Sequence, residues 1–173
     1  MPSGRTHDRI TLWSLPLVLL VASRITLDPW LTGIVGGGYL FGGFMFGPDL
    51  DIHSVQYKRW GWFRWIWLPY RGSLRHRSRL SHGPIIGTTL RVLYLSLWLG
   101  LLGLIIIDVL NSLGRAQVTW ADIGQGMTLG LRQFAPQWLA LVCGIELGAL
   151  SHSVSDWLVS SLRRQRRGQR PRR

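Results

Sequence analysis

The chain has 173 residues, room for one domain with a sizeable core, and a single cysteine, Cys143, which excludes an internal disulfide. Twenty Lys and Arg against eight Asp and Glu leave a net charge of +12, which points to an anionic partner such as lipid headgroups, a phosphorylated substrate or nucleic acid. The residues are sorted into apolar runs and arginine-rich runs rather than blended.

In chain order, "MPSGRTHDR" precedes a first apolar run over residues 10–27, charged only at Arg24. The start mimics a signal peptide, but Arg24 stands where a small-residue cleavage site belongs, so the segment is expected to be retained. Leu27, Asp28 and Pro29 form a tight joint to a second, uncharged and glycine-rich run over 29–48, which predicts an antiparallel hairpin. Residues 49–83 follow as a basic loop containing "YKRWGWFRWIWLPYR". Interleaved Arg and Trp can stack on bases. Beside an apolar run, however, the mixture is that of an element lying in a membrane interface, which disfavours nucleic acid.

Two further apolar runs cover 84–107, charged only at Arg91, and 133–151, charged only at Glu146. Between them, "TWADIGQG" reads as a loop or short interfacial helix, and Cys143 reads as a buried small hydrophobe. The basic tail, 163–173, has no apolar residue and is expected to be disordered. A membrane-crossing helix takes about 20 residues. The expected fold is therefore all-α, one domain over 1–162, an integral membrane bundle of about four transmembrane helices.

Charge sets the expected orientation. With the N-terminus inside, one face of the four runs carries Arg5, Arg9, Lys58, Arg59, Arg64, Arg71, Arg75, Arg77, Arg79 and seven tail arginines, against Arg24, Arg115 and Arg132 on the other. That asymmetry predicts an inner-membrane protein with both termini cytoplasmic, in contact with membrane lipids, and Arg91 snorkelling toward the basic side.

This topology gives the short motifs a common address. "THD" (6–8), "PDLDIHS" (48–54), "HRSRLSH" (76–82) and "SHSVSDW" (151–157) all fall at the basic end. They contain all five histidines, His7, His53, His76, His82 and His152, and four of the eight acids, Asp8, Asp49, Asp51 and Asp156. Imidazole with carboxylate is the ligand set of zinc, and of iron or manganese at hydrolytic centres. His152 and Asp156 are one helical turn apart and share a face. Asp49, Asp51 and His53 alternate, so an extended segment would point all three one way. His76 and His82 cannot share a face of a straight helix, but a turn through "RSRLS" would bring them together. These are more donors than one tetrahedral ion needs, which predicts two ions or an outer layer of orienting partners. Each motif alone has an ordinary reading as a surface, turn or cap residue; the four together converge on one end of the bundle. Glu146 keeps three readings: a neutral buried acid, a packing partner for Arg91, or a group behind the metal.

The same four motifs resemble those of the metal-binding membrane proteins of unknown function allied to bacterial membrane-bound metal-dependent hydrolases, themselves likened to zinc-dependent phospholipases C. The likeness runs from Met1 to about Leu162 and fails in the basic tail. It implies that His7, Asp49, Asp51, His76, His82, His152 and Asp156 are metal ligands. His53 departs from the pattern, because Ile52 separates it from Asp51. A metallohydrolase reading takes a phosphoester or lipid-like anionic substrate, with Asp49 or Asp8 as general base and Arg71 to Arg79 attracting the anion. The alternatives are a non-catalytic protein that stores, senses or passes an ion, an arginine tail that is itself the working part, and a soluble helical protein with a metal site.

Overall fold

The computed structural model describes residues 4–168, and every regular element among them is helical. Helix α1 spans Gly4–Thr26 and begins early enough to take in His7. Asp28 ends the joint that follows: its Oδ1 accepts from the backbone N–H of Trp30 (2.7 Å) and Leu31 (3.2 Å), while Pro29 occupies the first helical turn of α2 (Pro29–Phe44). The hydroxyls of Thr26 and Thr32 close the corner at 2.9 Å. The two helices pack as the expected antiparallel pair.

Helix α2 is shorter than the apolar run that encodes it. Its 16 residues extend about 24 Å, short of a hydrocarbon layer of about 30 Å. The chain leaves the helix at Met45 because Pro48 forces Gly47 into an extended conformation, and a 3-10 turn, Pro48–Asp51, follows. Of the four expected spans, three are helices long and apolar enough to cross a membrane: Thr6–Thr26, Ile86–Ser112 and Ala135–Leu158.

Residues 45–85 fold over one end of the long helices as a cap of short elements. These are α3 (Val55–Arg59), a 3-10 stretch (Gly61–Trp67), α4 (Leu68–Ser73) and α5 (Arg79–His82). The tryptophan-rich segment divides between core and surface. Trp67 is fully enclosed with Phe46, Leu50, Tyr57, Ile66 and Tyr70, against Ile145 of the last helix, whereas Trp62, Phe63 and Trp65 remain exposed. Trp60 donates its indole N–H to Met45 O at 2.9 Å, and the Tyr94 hydroxyl donates to Ile66 O, tying the cap to the helices below it.

Helix α6 (Ile86–Ser112) is enclosed only near its start, at Gly87, Thr88 and Arg91, and its most apolar stretch has no buried residue. Helix α7 (Trp120–Gln133) replaces the expected loop or short helix. Thr119 and Asp122 form a reciprocal capping box at its start. Helix α8 (Ala135–Gly168) continues well beyond the expected span. The stretch read as a disordered tail is helical as far as Gly168, since arginine and glutamine favour a helix and no breaker intervenes. Residues 169–173 lie outside the described ones. Cys143 is exposed on α8, not buried.

The closest packing joins α2 to α8. A Cβ at Gly38 would lie 2.7 Å from Leu141 O, and one at Gly42 or Gly148 would run into the carbonyl of Ile145 or Tyr39. Backbone therefore meets backbone along this seam. It sets the distance between the end of α2, where Asp49 follows, and the turn of α8 that carries His152.

Candidate metal centre

Two groups of donors meet at the capped end. The first joins His7 of α1 to His152 and Asp156 of α8. The two imidazoles, 7% and 4% exposed, stack with ring centroids 3.9 Å apart. His7 Nε2 is 3.4 Å from Asp156 Oδ1, and His152 Nε2 is 4.0 Å from Asp156 Oδ2. The second group joins Asp49 to His76 and His82, whose rings meet edge to face at 4.9 Å. Within each group one donor atom per residue lies within 4.8 Å of the others.

Asp49 connects the groups. Its Oδ2 is 3.2 Å from His152 Nε2 and its Oδ1 is 3.6 Å from His82 Nε2. Burial by itself would raise this carboxyl, yet the flanking imidazoles of His152 and His82 outweigh it and hold the group well below the usual carboxylate range. Asp51 lies behind the second group, with Oδ1 2.9 Å from His76 Nδ1 and Oδ2 3.8 Å from His82 Nδ1. The 3-10 turn at Pro48–Asp51, rather than the expected extended segment, places both carboxylates here.

Two serines that sequence reasoning passed over hold histidine rings, one in each group. Ser155 Oγ gives its proton to His152 O at 2.7 Å, so it must accept from His7 Nδ1–H, also at 2.7 Å. In His7 the lone pair is thereby left on Nε2, the nitrogen that faces Asp156, as a ligand requires. Ser81 Oγ is 2.9 Å from His82 Nδ1, with longer contacts of 3.4 Å to the carbonyls of Ser78 and Arg75. Each serine lies close in sequence to a donor, in "RSRLSH" and "SHSVSD", and that adjacency was the only available signal.

The donor atoms are short of partners. Asp49 Oδ1, Asp51 Oδ2, His82 Nε2, both nitrogens of His152 and Asp156 Oδ1 are buried without a hydrogen bond. Leaving a buried polar atom unmade costs about 1–3 kcal/mol, more when it is charged. Such a concentration of unmet donors fits a cation. Imidazole and carboxylate donors without thiolate suit zinc, iron or manganese.

Two predicted residues stand apart. His53 is exposed, packs on Tyr57 with ring centroids 5.5 Å apart, and belongs to neither donor group. The extended geometry that would have aimed it with the aspartates is absent, because the chain turns at Asp51 and α3 starts at Val55. Asp8 is held by Arg59, whose Nη1 donates to Oδ1 at 2.9 Å while Nη2 binds the other oxygen. Asp8 and Arg59, with Gln56, line a cavity of about 190 Å³ that reaches His7, Asp49 and His152. Gln56 is buried and donates to Gly43 O at 2.9 Å.

A family model described as uncharacterized metal-binding protein (DUF2227) matches residues 2–166. The chain belongs to that family. It is thus a metal-binding protein, and among its described residues two groups of donors could hold an ion. An uncharacterized protein of Aquifex aeolicus (strain VF5) is 41% identical over 61 residues, 35% of this chain and 43% of that protein, so the chain spans less than half the length of this curated relative. No solved structure matches the chain.

Proposed function

We propose that the chain is a membrane-embedded, metal-dependent hydrolase that acts on a phosphoester or lipid-like anionic substrate at the cytoplasmic face. The observation that carries this reading is the cavity of about 190 Å³ lined by His7, Asp49 and His152 together with Asp8 and Arg59, which gives the donor residues an open approach on one side. A purely structural ion closes its coordination with protein atoms, whereas a catalytic site keeps an approach open.

His7, His152 and Asp156 hold a first ion and Asp49, His76 and His82 a second, with Asp49 reaching toward both. A divalent ion at such a site supplies Lewis acidity toward a phosphoryl or acyl oxygen. The chain's own groups do the rest. The guanidinium of Arg59 stands at the cavity wall, where an anionic ester can share its donors with Asp8. Of the two carboxylates considered as general base, Asp49 sits among the metal donors, and Asp8 lies outside both groups, paired with Arg59 at the cavity wall. The four arginines from Arg71 to Arg79 in the cap raise the local concentration of anions.

Membrane embedding is supported by the three long apolar helices and by exposed tryptophans at both ends of the fold. Trp30, Trp120 and Trp138 lie at the end away from the donors, and Trp62 and Trp157 at the donor end, as in the two aromatic belts of a membrane protein. The cytoplasmic assignment rests on the basic residues at the donor end.

The deep burial of His7 and His152 favours a second reading, a non-catalytic protein that stores, senses or passes an ion. One experiment separates the two. Detergent-purified protein loaded with zinc, manganese or iron is incubated with phospholipid and with a generic phosphoester. Product release that is lost in Asp8→Asn, with metal content unchanged, supports the hydrolase; no release from the fully loaded protein counts heavily against it.

A further inference from the structure

The turn between α5 and α6 is strained and is held from two sides. Ile85 has φ 64° and ψ −56°, a conformation that disfavours a β-branched residue, and Ile86 N donates to Pro84 O at 2.7 Å across it, which makes this a γ-turn. Three residues before Ile85 stands His82. A turn of this kind persists only where its surroundings impose it.

Two side chains from the long helices do so. Glu146 of α8 accepts the Ile85 N–H on Oε1 at 2.9 Å. Arg91 of α6, 2% exposed, donates from Nη1 to Ser81 O at 2.9 Å and from Nη2 to Thr88 Oγ1 at 2.9 Å. His82 therefore lies between two backbone anchors, the Ser81 carbonyl and the Ile85 amide, and each anchor is gripped by a charged group from a different helix. Ser81 in turn orients the His82 ring through its hydroxyl. Glu146 is the one carboxylate between Arg132 and Asp156, in a stretch otherwise apolar enough to cross a membrane, where a charged group is retained only for a reason.

We infer that Glu146 and Arg91 are positioning residues for the second metal subsite: they hold the γ-turn at Ile85 and the Ser81 carbonyl so that His82 Nε2 faces Asp49. Neither residue is a ligand. The inference rests on the reading that Asp49, His76 and His82 hold an ion.

The test is a cobalt(II) titration of the full chain, purified in detergent and stripped with chelator, followed by visible absorption and by ion count in native mass spectrometry. Wild type takes two ions and His82→Ala one. In Glu146→Ala the first ion binds as in wild type and the second is weakened about 10–100-fold, the range typical of groups that orient a ligand. Glu146→Gln, which keeps the carbonyl acceptor, binds both ions as wild type does. Adding Ile85→Gly to Glu146→Ala recovers part of the lost affinity, because glycine adopts the turn without being forced. The inference is overturned if Glu146→Ala binds its second ion normally, if Glu146→Gln is as weak as Glu146→Ala, or if both ions weaken together, which marks a general loss of packing. A wild type that never takes a second ion fails in a different way: it refutes the second subsite, and the inference falls with it.

Discussion

The two donor groups use similar chemistry on different supports. The first is mounted entirely on long helices, with His7 on α1 and His152 and Asp156 one turn apart on α8, and its imidazoles are almost completely enclosed. The second hangs on short elements of the cap. His76 lies outside any helix with its side chain 30% exposed, His82 ends a four-residue helix, and Asp49 sits in a 3-10 turn. Helix-borne donors keep their spacing without help, so the first group needs little beyond one serine. Loop-borne donors do not, and around the second are gathered Asp51, Ser81, Arg91 and Glu146. The comparison teaches that a site assembled from turns is only as rigid as the helices that grip those turns.

Five substitutions break or sharpen this contrast. The largest effect is expected from Asp49→Ala, because its two oxygens face different groups. Metal content measured on purified protein should fall at both subsites, and retention of one ion at full affinity would deny Asp49 its shared role. Next comes Gly148→Leu at the α2–α8 seam, where a side chain would meet the Tyr39 carbonyl. Overpacking of this kind costs about 1–3 kcal/mol. Thermal denaturation should show that loss, and the first subsite should weaken while the cap-borne second one changes less.

A smaller effect is expected at the two serines that hold the histidine rings. Ser155→Ala should weaken the first ion alone, and Ser81→Ala the second alone, each by about 10–100-fold in a competitive chelator titration. Crossed effects would mean that the two groups are not separate subsites. The smallest belongs to His53→Ala, which should leave both ions in place by mass spectrometry, since the ring packs on Tyr57 away from the donors.

The split between what could be read early and what could not follows particular residues. The hairpin at Asp28 and Pro29 was legible because capping oxygen and proline act within three residues of each other. The pairing of His152 with Asp156 was legible from helical spacing. Asp51 was legible as a member of the site but not as the residue that stands behind His76. Pro48 was visible in the sequence, yet the run 29–48 was read as one span, because average apolarity conceals the single residue that ends a helix. The division of "RWGWFRWIW" into enclosed Trp67 and exposed Trp62 could not be foreseen, because it depends on which ring meets Phe46 and Tyr94.

By itself the sequence determined that the chain is helical and that its imidazoles and half its carboxylates gather at one end. Helix periodicity, run length and charge count are local quantities, and they add up along the chain. Only the tertiary structure decided that the donors form two groups joined by Asp49, that His53 is left out, and that Ser81, Ser155, Arg91 and Glu146 belong to the arrangement. Those outcomes depend on the rotation of each helix and on how closely α2 approaches α8. Both are set by contacts between separate elements, 61 positions apart for Ile85 and Glu146 and 148 for His7 and Ser155, which no local pattern records.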